Sequence, residues 1–169
     1  MYGWRARIGV LVPSTNTVVE SEFNLMAPEG VSIHAARMKL TVTNPETLVD
    51  MEKHAKRASD EIATEGVAVI VYACTSGSFV GGSQWEKDLV KNIEDNTGIK
   101  TVTTAGSIIE GLKAVGAKNI VMATPYKQEL NVCEVNFLES KGFNVLAEKG
   151  LGIDENIKVG SLTPQVAYN

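Results

Sequence analysis

What most constrains this chain is a repeated change of hydrophobic period. Short apolar runs at 7–12, 31–38, 67–73, 100–103, 119–123 and 143–151 alternate with longer amphipathic stretches. A run of four to eight apolar residues bounded by turn residues suits a strand, and apolar positions recurring every three or four residues suit a helix. Strand, helix, strand, repeated, predicts an α/β fold, a parallel sheet with helices on both faces. One continuous helix is expected from Asn44-Pro45-Glu46, an N-cap followed by proline at the first helical position, to Gly66. It would put Leu48, Met51, Ala55, Ala58 and Ile62 on one face. Further helices are expected over 18–26, 83–96, 105–115 and 127–141, with Gly98, Gly116 and Gly142 as stops. No Pro/Ser/Gly linker divides the chain.

Three strand ends carry polar turns. The run 67–73 breaks at Cys74 into Thr75-Ser76-Gly77-Ser78, read as a small polar loop. The carboxyl end of a strand in an open α/β sheet is where ligands bind. Backbone N–H groups at the start of the following helix would favour thiolate at Cys74, and Thr75, Ser76 and Ser78 add donors. The competing explanation is a small residue in a tight turn. Gly81-Gly82 beyond this loop reads either as a hinge for a lid or as the turn into the next helix. After the first strand, Ser14, Thr15, Asn16 and Thr17 follow Val12-Pro13. Such a nest of hydroxyl, amide and backbone donors suits a carboxylate or phosphate, although simple capping of the next helix explains the same residue types. Two such turns leaving one sheet edge would face a shared crevice. The third, Ala123-Thr124-Pro125-Tyr126, repeats the Val12-Pro13 arrangement and hints at an internal duplication. From spacing alone Tyr126 is either a substrate donor or a cap on the sheet edge.

Composition narrows the functional classes. The net charge of −4 with no Lys/Arg cluster gives no footprint for nucleic acid. Two cysteines do not make a disulfide framework, and reduced thiols in a cytoplasmic protein are expected. Pro13 ends the first apolar run well short of a signal sequence, and no run is long enough to cross a bilayer. His34 and His54 share no metal-ligand spacing with the cysteines and read as structural or surface residues. Trp4 and Trp85 read as packing residues, and Glu20 and Glu86 as solvated or capping charges.

Four motifs in order, Val12-Pro13-Ser14-Thr15-Asn16-Thr17 with Glu20, Tyr72-Ala73-Cys74-Thr75-Ser76-Gly77-Ser78, Thr104-Ala105-Gly106, and Ala123-Thr124-Pro125-Tyr126 with Leu130-Asn131, resemble the maleate cis-trans isomerase and arylmalonate decarboxylase family of the aspartate/glutamate racemase superfamily. The resemblance runs along nearly the whole chain. It implies two pseudo-symmetric α/β halves around a small dicarboxylate, one cysteine from each half, and no metal or organic cofactor. Residues 1–104 would then be the first half, with Cys74, and 105–169 the start of a second. Position by position, the resemblance makes Cys74 the nucleophilic or proton-transferring thiol. Asn16, Tyr126 and Asn156 would contact substrate, with Thr75, Ser76 and Ser78 offering donors to a carboxylate. The implied reaction is cis-trans isomerisation of maleate to fumarate. Amino-acid racemisation and a carboxylate-binding domain without chemistry stand as alternatives. A homo-oligomer is also expected.

One feature departs from that pattern. If the halves keep the same spacing, the counterpart of Cys74 falls near position ~186, past residue 169. Cys133 shares an apolar helical face with Leu130 and Phe137 and reads as a core thiol. The expectation is therefore a second half that is incomplete, breaking off as 162–168 begins another helix, and a two-cysteine site of which this sequence holds one member.

Overall fold

The apolar runs fold as strands in a computed structural model that describes residues 1–168. In chain order the first elements are β1 (Ala6–Pro13), α1 (Val19–Met26), β2 (Val31–Met38), α2 (Pro45–Glu52), α3 (Ala55–Ala63), β3 (Val69–Tyr72), α4 (Thr75–Phe79), α5 (Gly82–Thr97), β4 (Thr101–Thr103) and α6 (Thr104–Ala114). They are followed by β5 (Asn119–Thr124), α7 (Gln128–Ser140), β6 (Asn144–Gly150), α8 (Asn156–Gly160) and α9 (Pro164–Tyr168). All six strands lie within a residue or two of the expected runs. They form two parallel sheets rather than one, a four-stranded sheet in the order β2-β1-β3-β4 and a β5-β6 pair.

Alternation along the strands sorts side chains between the two faces of the first sheet. Leu11, Ile70 and Tyr72 point into a core with Leu48, Met51, Ala55, Ala58 and Ile62 from α2 and α3 and Leu89 and Ile93 from α5. Val10, Val12 and Ala73 point the other way, against Val19 and Phe23 of α1. A third cluster, Phe79, Ala105, Ile109, Phe137 and Phe143, joins α4 and α6 to α7 and the second sheet. The β5-β6 pair is covered on one face. Val121 and Leu146 on its other face are 74% and 63% exposed.

The single helix expected from Asn44 to Gly66 is two. Asn44 caps α2 as foreseen, accepting from the Thr47 N–H at 2.9 Å. At Lys53 and His54 the hydrogen bonds tighten to the third residue back, Lys53 to Asp50 and His54 to Met51. Both residues keep right-handed helical angles, so the apolar stripe passes through the break without changing face. Among the described residues no helix is long and apolar enough to cross a membrane.

Candidate active site

The strand order creates the site. The chain leaves β1 toward β2 on one side and leaves β3 toward β4 on the other, so their carboxyl ends flank a topological switch point. Leu11 pairs with Tyr72, and the Ala73 N–H donates to the Leu11 carbonyl at 2.9 Å. The turns after Pro13 and at Cys74 therefore leave the sheet at the same height. Between them lies a cavity of about 330 Å³ lined by Asn16, Cys74, Thr75, Ser76, Tyr126 and Asn156, among others. Six of the nine expected site residues converge on it.

Cys74 is the N-cap of α4, a helix where a loop was expected. The small residues after it let the chain turn at once. The Ser78 N–H donates to the Cys74 carbonyl at 3.0 Å, and the Ser78 hydroxyl bonds to that same oxygen. Ser78 is wholly buried and closes the helix, away from the cavity wall. The Cys74 sulfur accepts from the Gly77 N–H at 3.4 Å and lies 3.8 Å from the Ser76 hydroxyl. It is only 7% exposed. Burial pushes the thiol above its ordinary pKa, while the Gly77 N–H and Ser76 hydroxyl pull it down without prevailing. The expected preference for thiolate is thus overturned: burial favours the protonated thiol. A five-residue helix has a weak dipole, and desolvation outweighs it.

Gly81-Gly82 is the turn between α4 and α5, with Gly82 at φ +80°. The Trp85 indole N–H donates to the Gly77 carbonyl at 2.9 Å and ties α5 to the helix that carries Cys74.

The turn after β1 divides its labour. Asn16 Oδ1 accepts from the Val18 and Val19 N–H groups at 2.9 and 3.0 Å. That fixes the amide orientation and leaves Nδ2 as the donor available to the cavity. Capping and site roles, set against each other at the sequence level, coexist in one side chain. Ser14 lies outside the cavity lining. Its hydroxyl donates to the Leu40 carbonyl at 3.1 Å and accepts the Leu40 N–H at 3.0 Å, locking this turn to the one after β2. Thr15 accepts the Asn156 Nδ2 at 2.9 Å. Thr15 thus supports Asn156, which lines the wall from the start of α8.

Tyr126 arrives from the turn after β5 and stacks edge-on against Phe79, ring centroids 6.2 Å apart. Burial pushes its phenol up, so it stays protonated and can only donate to an anion. Asn131, fully buried, accepts the Thr124 hydroxyl at 2.5 Å and donates to Glu148 at 2.6 Å, holding this turn in place. Sequence reasoning missed Thr43 and Thr104, which also line the cavity. Thr43 is 3% exposed, and its hydroxyl has no partner among the described residues. The usable signal was the strand-end rule, since both residues follow strands of the same sheet.

Other side chains fall outside the site. His34 pairs with Glu65 and Ser32, and Glu20 pairs with Arg37. Glu86 is not a solvated charge. Its carboxylate accepts the Thr103 hydroxyl at 2.9 Å and sits 3.4 Å from the Lys141 ammonium, with the two side chains 13% and 18% exposed. Trp4 lies over Gly30 but is 63% exposed. Cys133 packs beside the third apolar cluster and does not line the cavity. Among the described residues no lysine or arginine lines the cavity, and no cluster of potential ligands could hold a metal ion. Its donors are hydroxyl, amide and phenol groups beside one thiol. That set can bind carboxylate and place a nucleophile against it.

The family model described as arylmalonate decarboxylase matches residues 8–168. A maleate isomerase of Pseudomonas putida is 32% identical over 170 residues, covering 94% of this chain and 68% of that protein. One of Nocardia farcinica is 32% identical over 92% of this chain and 66% of that protein. Among solved structures, the Nocardia farcinica maleate cis-trans isomerase bound to TRIS has a TM-score of 0.91 at 30% identity, over 96% of this chain and 70% of that one. A mutant of that isomerase with a covalently bound succinylcysteine intermediate has a TM-score of 0.89 at 28% identity, over the same shares. The chain spans about two thirds of the length of the curated relatives it matches.

Proposed function

Because the chain belongs to the arylmalonate decarboxylase family, we propose that it acts on a small cis-dicarboxylate, most simply maleate, through covalent addition of the Cys74 sulfur. The observation that carries this reading is the position of the thiol. Cys74 lines a cavity at the switch point among neutral donors drawn from three turns. Sulfur bonds to one alkene carbon, the C=C bond becomes single, and the adjacent carbon gains a proton, giving a succinyl thioether. Rotation about the new single bond and elimination of sulfur release fumarate and restore the thiol. As the C–S bond forms, negative charge spreads onto the carboxylate conjugated with the alkene. Thr75, Ser76, Tyr126 and the free Asn16 amide are the donors for it, and Thr43 adds an unpaired hydroxyl. Asn156, braced by Thr15, holds the far wall.

The proton for the adjacent carbon needs an acid on the opposite face of the substrate. Cys133 does not line the cavity, so this reading assigns that acid to a second cysteine outside the present sequence. Racemisation also needs two opposed thiols and gains no support from the one present. Addition and turnover therefore need separate tests. This chain, incubated with maleate, is expected to gain one maleic acid unit in mass at Cys74, slowly, with solvent water supplying the proton to the adjacent carbon. Cys74→Ser is expected to gain none. The complete product of the gene is expected to convert maleate to fumarate by proton NMR. An unmodified Cys74 in maleate-saturated protein, or conversion by the Cys74→Ser form of the full product, refutes the proposal.

A further inference from the structure

Behind the thiol lies a polar atom for which no role has been found. Tyr72 and Cys74 are two apart on an extended segment, so both side chains leave the same face of β3. Tyr72 is fully buried, and its hydroxyl has no hydrogen-bond partner among the described residues. A buried, unpaired hydroxyl costs free energy, so its retention calls for a partner that exists in another state of the site. Gly77 shows where that partner is. A Cβ built on Gly77 would stand 3.1 Å from the Tyr72 hydroxyl oxygen, 3.1 Å from the Cys74 sulfur and 2.9 Å from the Met51 methyl. The phenol oxygen and the sulfur thus crowd the same point beside the Gly77 backbone, closer than a methyl carbon ordinarily sits, and glycine is the residue that leaves them room to approach each other.

We infer that Tyr72 is a positioning residue, donating its phenolic hydrogen to the Cys74 sulfur when the thiol gives up its proton. The phenol lies on the core side of the sulfur, leaving the cavity side for substrate. It joins the Gly77 N–H and the Ser76 hydroxyl as a third donor to the developing thiolate. Burial, with Cys74 and Glu52 nearby, holds the Tyr72 phenol well above its ordinary pKa, so it remains a donor throughout the working pH range. The titratable groups around the sulfur are Tyr72 from its own strand, Tyr126 from the turn after β5, Glu52 of α2 beside the phenol and Glu22 of α1 at the cavity rim. None is a cation, so hydrogen-bond donors are what remains to offset the burial of a thiolate.

This inference deepens the proposed role of Cys74 and rests on it, but its test needs no dicarboxylate. In a Cys133→Ala background Cys74 is the only thiol, and its alkylation by iodoacetamide is followed against pH by mass spectrometry. Ionisation passes the Sγ proton to buffer base, the sulfur lone pair then takes the acetamide carbon, and iodide leaves. Adding Tyr72→Phe is expected to move the rate profile to higher pH, slowing alkylation about tenfold below the midpoint, as the loss of a hydrogen bond to a charged group implies. Thermal stability is expected to hold or rise, because an unpaired hydroxyl has been removed. Should Tyr72→Phe fail to fold, Gly77→Ala forces a methyl against both the phenol oxygen and the sulfur, pushes them apart and is expected to give the same shift. A superimposable profile, read in whichever of these variants folds, overturns the inference. Normal Cys74 ionisation with no maleate adduct would instead defeat the proposed function.

Discussion

Glu134 offers a stability test with a worked magnitude. It lies on α7 between Leu130 and Phe137, both buried, and one of its carboxyl oxygens is sealed from solvent with no hydrogen-bond partner. Burial raises its pKa from 4.5 to about 7, and no cation contributes to the shift. A folded-state pKa above the unfolded one means that the native state binds the proton more tightly. Stability is therefore highest below about pH 4.5, falls as the pH rises from there to about 7, and is level beyond. At about 1.4 kcal/mol per pH unit the shift corresponds to roughly 3 kcal/mol, and solvent at the other oxygen reduces it to about 2–3 kcal/mol. Glu134→Gln keeps the shape and polarity of the protonated carboxyl but cannot ionise. The variant is expected to lie within about 1 kcal/mol of the wild type at pH 5 and to exceed it by about 2–3 kcal/mol at pH 8. Urea unfolding of both proteins at the two pH values measures the difference, and comparing the gaps cancels every other titrating group. A gap of equal size at pH 5 and pH 8, or a variant less stable at pH 8, refutes the reasoning.

Two further substitutions probe the walls of the site. Glu22 is the one carboxylate at the cavity rim and is exposed, so Glu22→Gln is expected to strengthen binding of a dicarboxylate about two- to fivefold at low ionic strength, an advantage that fades as salt is raised. A salt-independent change in affinity, measured calorimetrically with maleate, would count against a charge effect. Asn131→Leu removes the acceptor of the Thr124 hydroxyl and the donor to Glu148. It is expected to cost about 2–3 kcal/mol in urea unfolding and to weaken ligand binding by loosening the Tyr126 turn. Unchanged stability would show that this buried network does not brace the site.

The sequence was most legible where period and turn chemistry agreed. All six strands followed from short apolar runs, and Asn44 with Pro45 announced α2 because capping is a local interaction. The break at Lys53 and His54 left no trace, since both residues keep helical angles and the buried stripe runs on through them. Helix α4 was missed for a different reason. Thr, Ser and Gly favour turns locally, and only capping by Cys74 together with burial of Phe79 makes five of these residues helical. In the site, strand-end position pointed to Cys74 and the family resemblance to Asn16 and Tyr126, but neither could apportion the neighbouring hydroxyls. Ser14 and Ser78 carry the same group as Ser76, yet their hydrogen bonds go to the Leu40 and Cys74 carbonyls. Such partners are set by tertiary packing, and adjacent residues diverge with it. The resting state of the thiol was likewise out of reach, because it is set by how much water the fold removes.

A buried, protonated thiol and a cavity without cations belong to one electrostatic design. Placing a dicarboxylate beside a preformed thiolate would gather three negative charges in a space of about 330 Å³ without an offsetting cation. A neutral thiol avoids that repulsion while the substrate enters. In the proposed reaction charge appears only as the thiol gives up its proton and bonds to carbon, first on the sulfur and then on the conjugated carboxylate. A lysine or arginine at that carboxylate would hold the substrate nearly as strongly before the reaction as during it, which tightens binding without speeding the chemical step. Neutral donors already fixed by the fold respond to the increment of charge. Asn16 is held by its cap to α1, and Ser76 sits within α4, so neither must reorganise as the charge grows. The burial that raises the Cys74 pKa therefore serves the same end as the missing cation. Both keep charge away from the sulfur in the resting site, where Glu22 at the rim is the one charged group lining the cavity, and both defer stabilisation to the moment of bond formation.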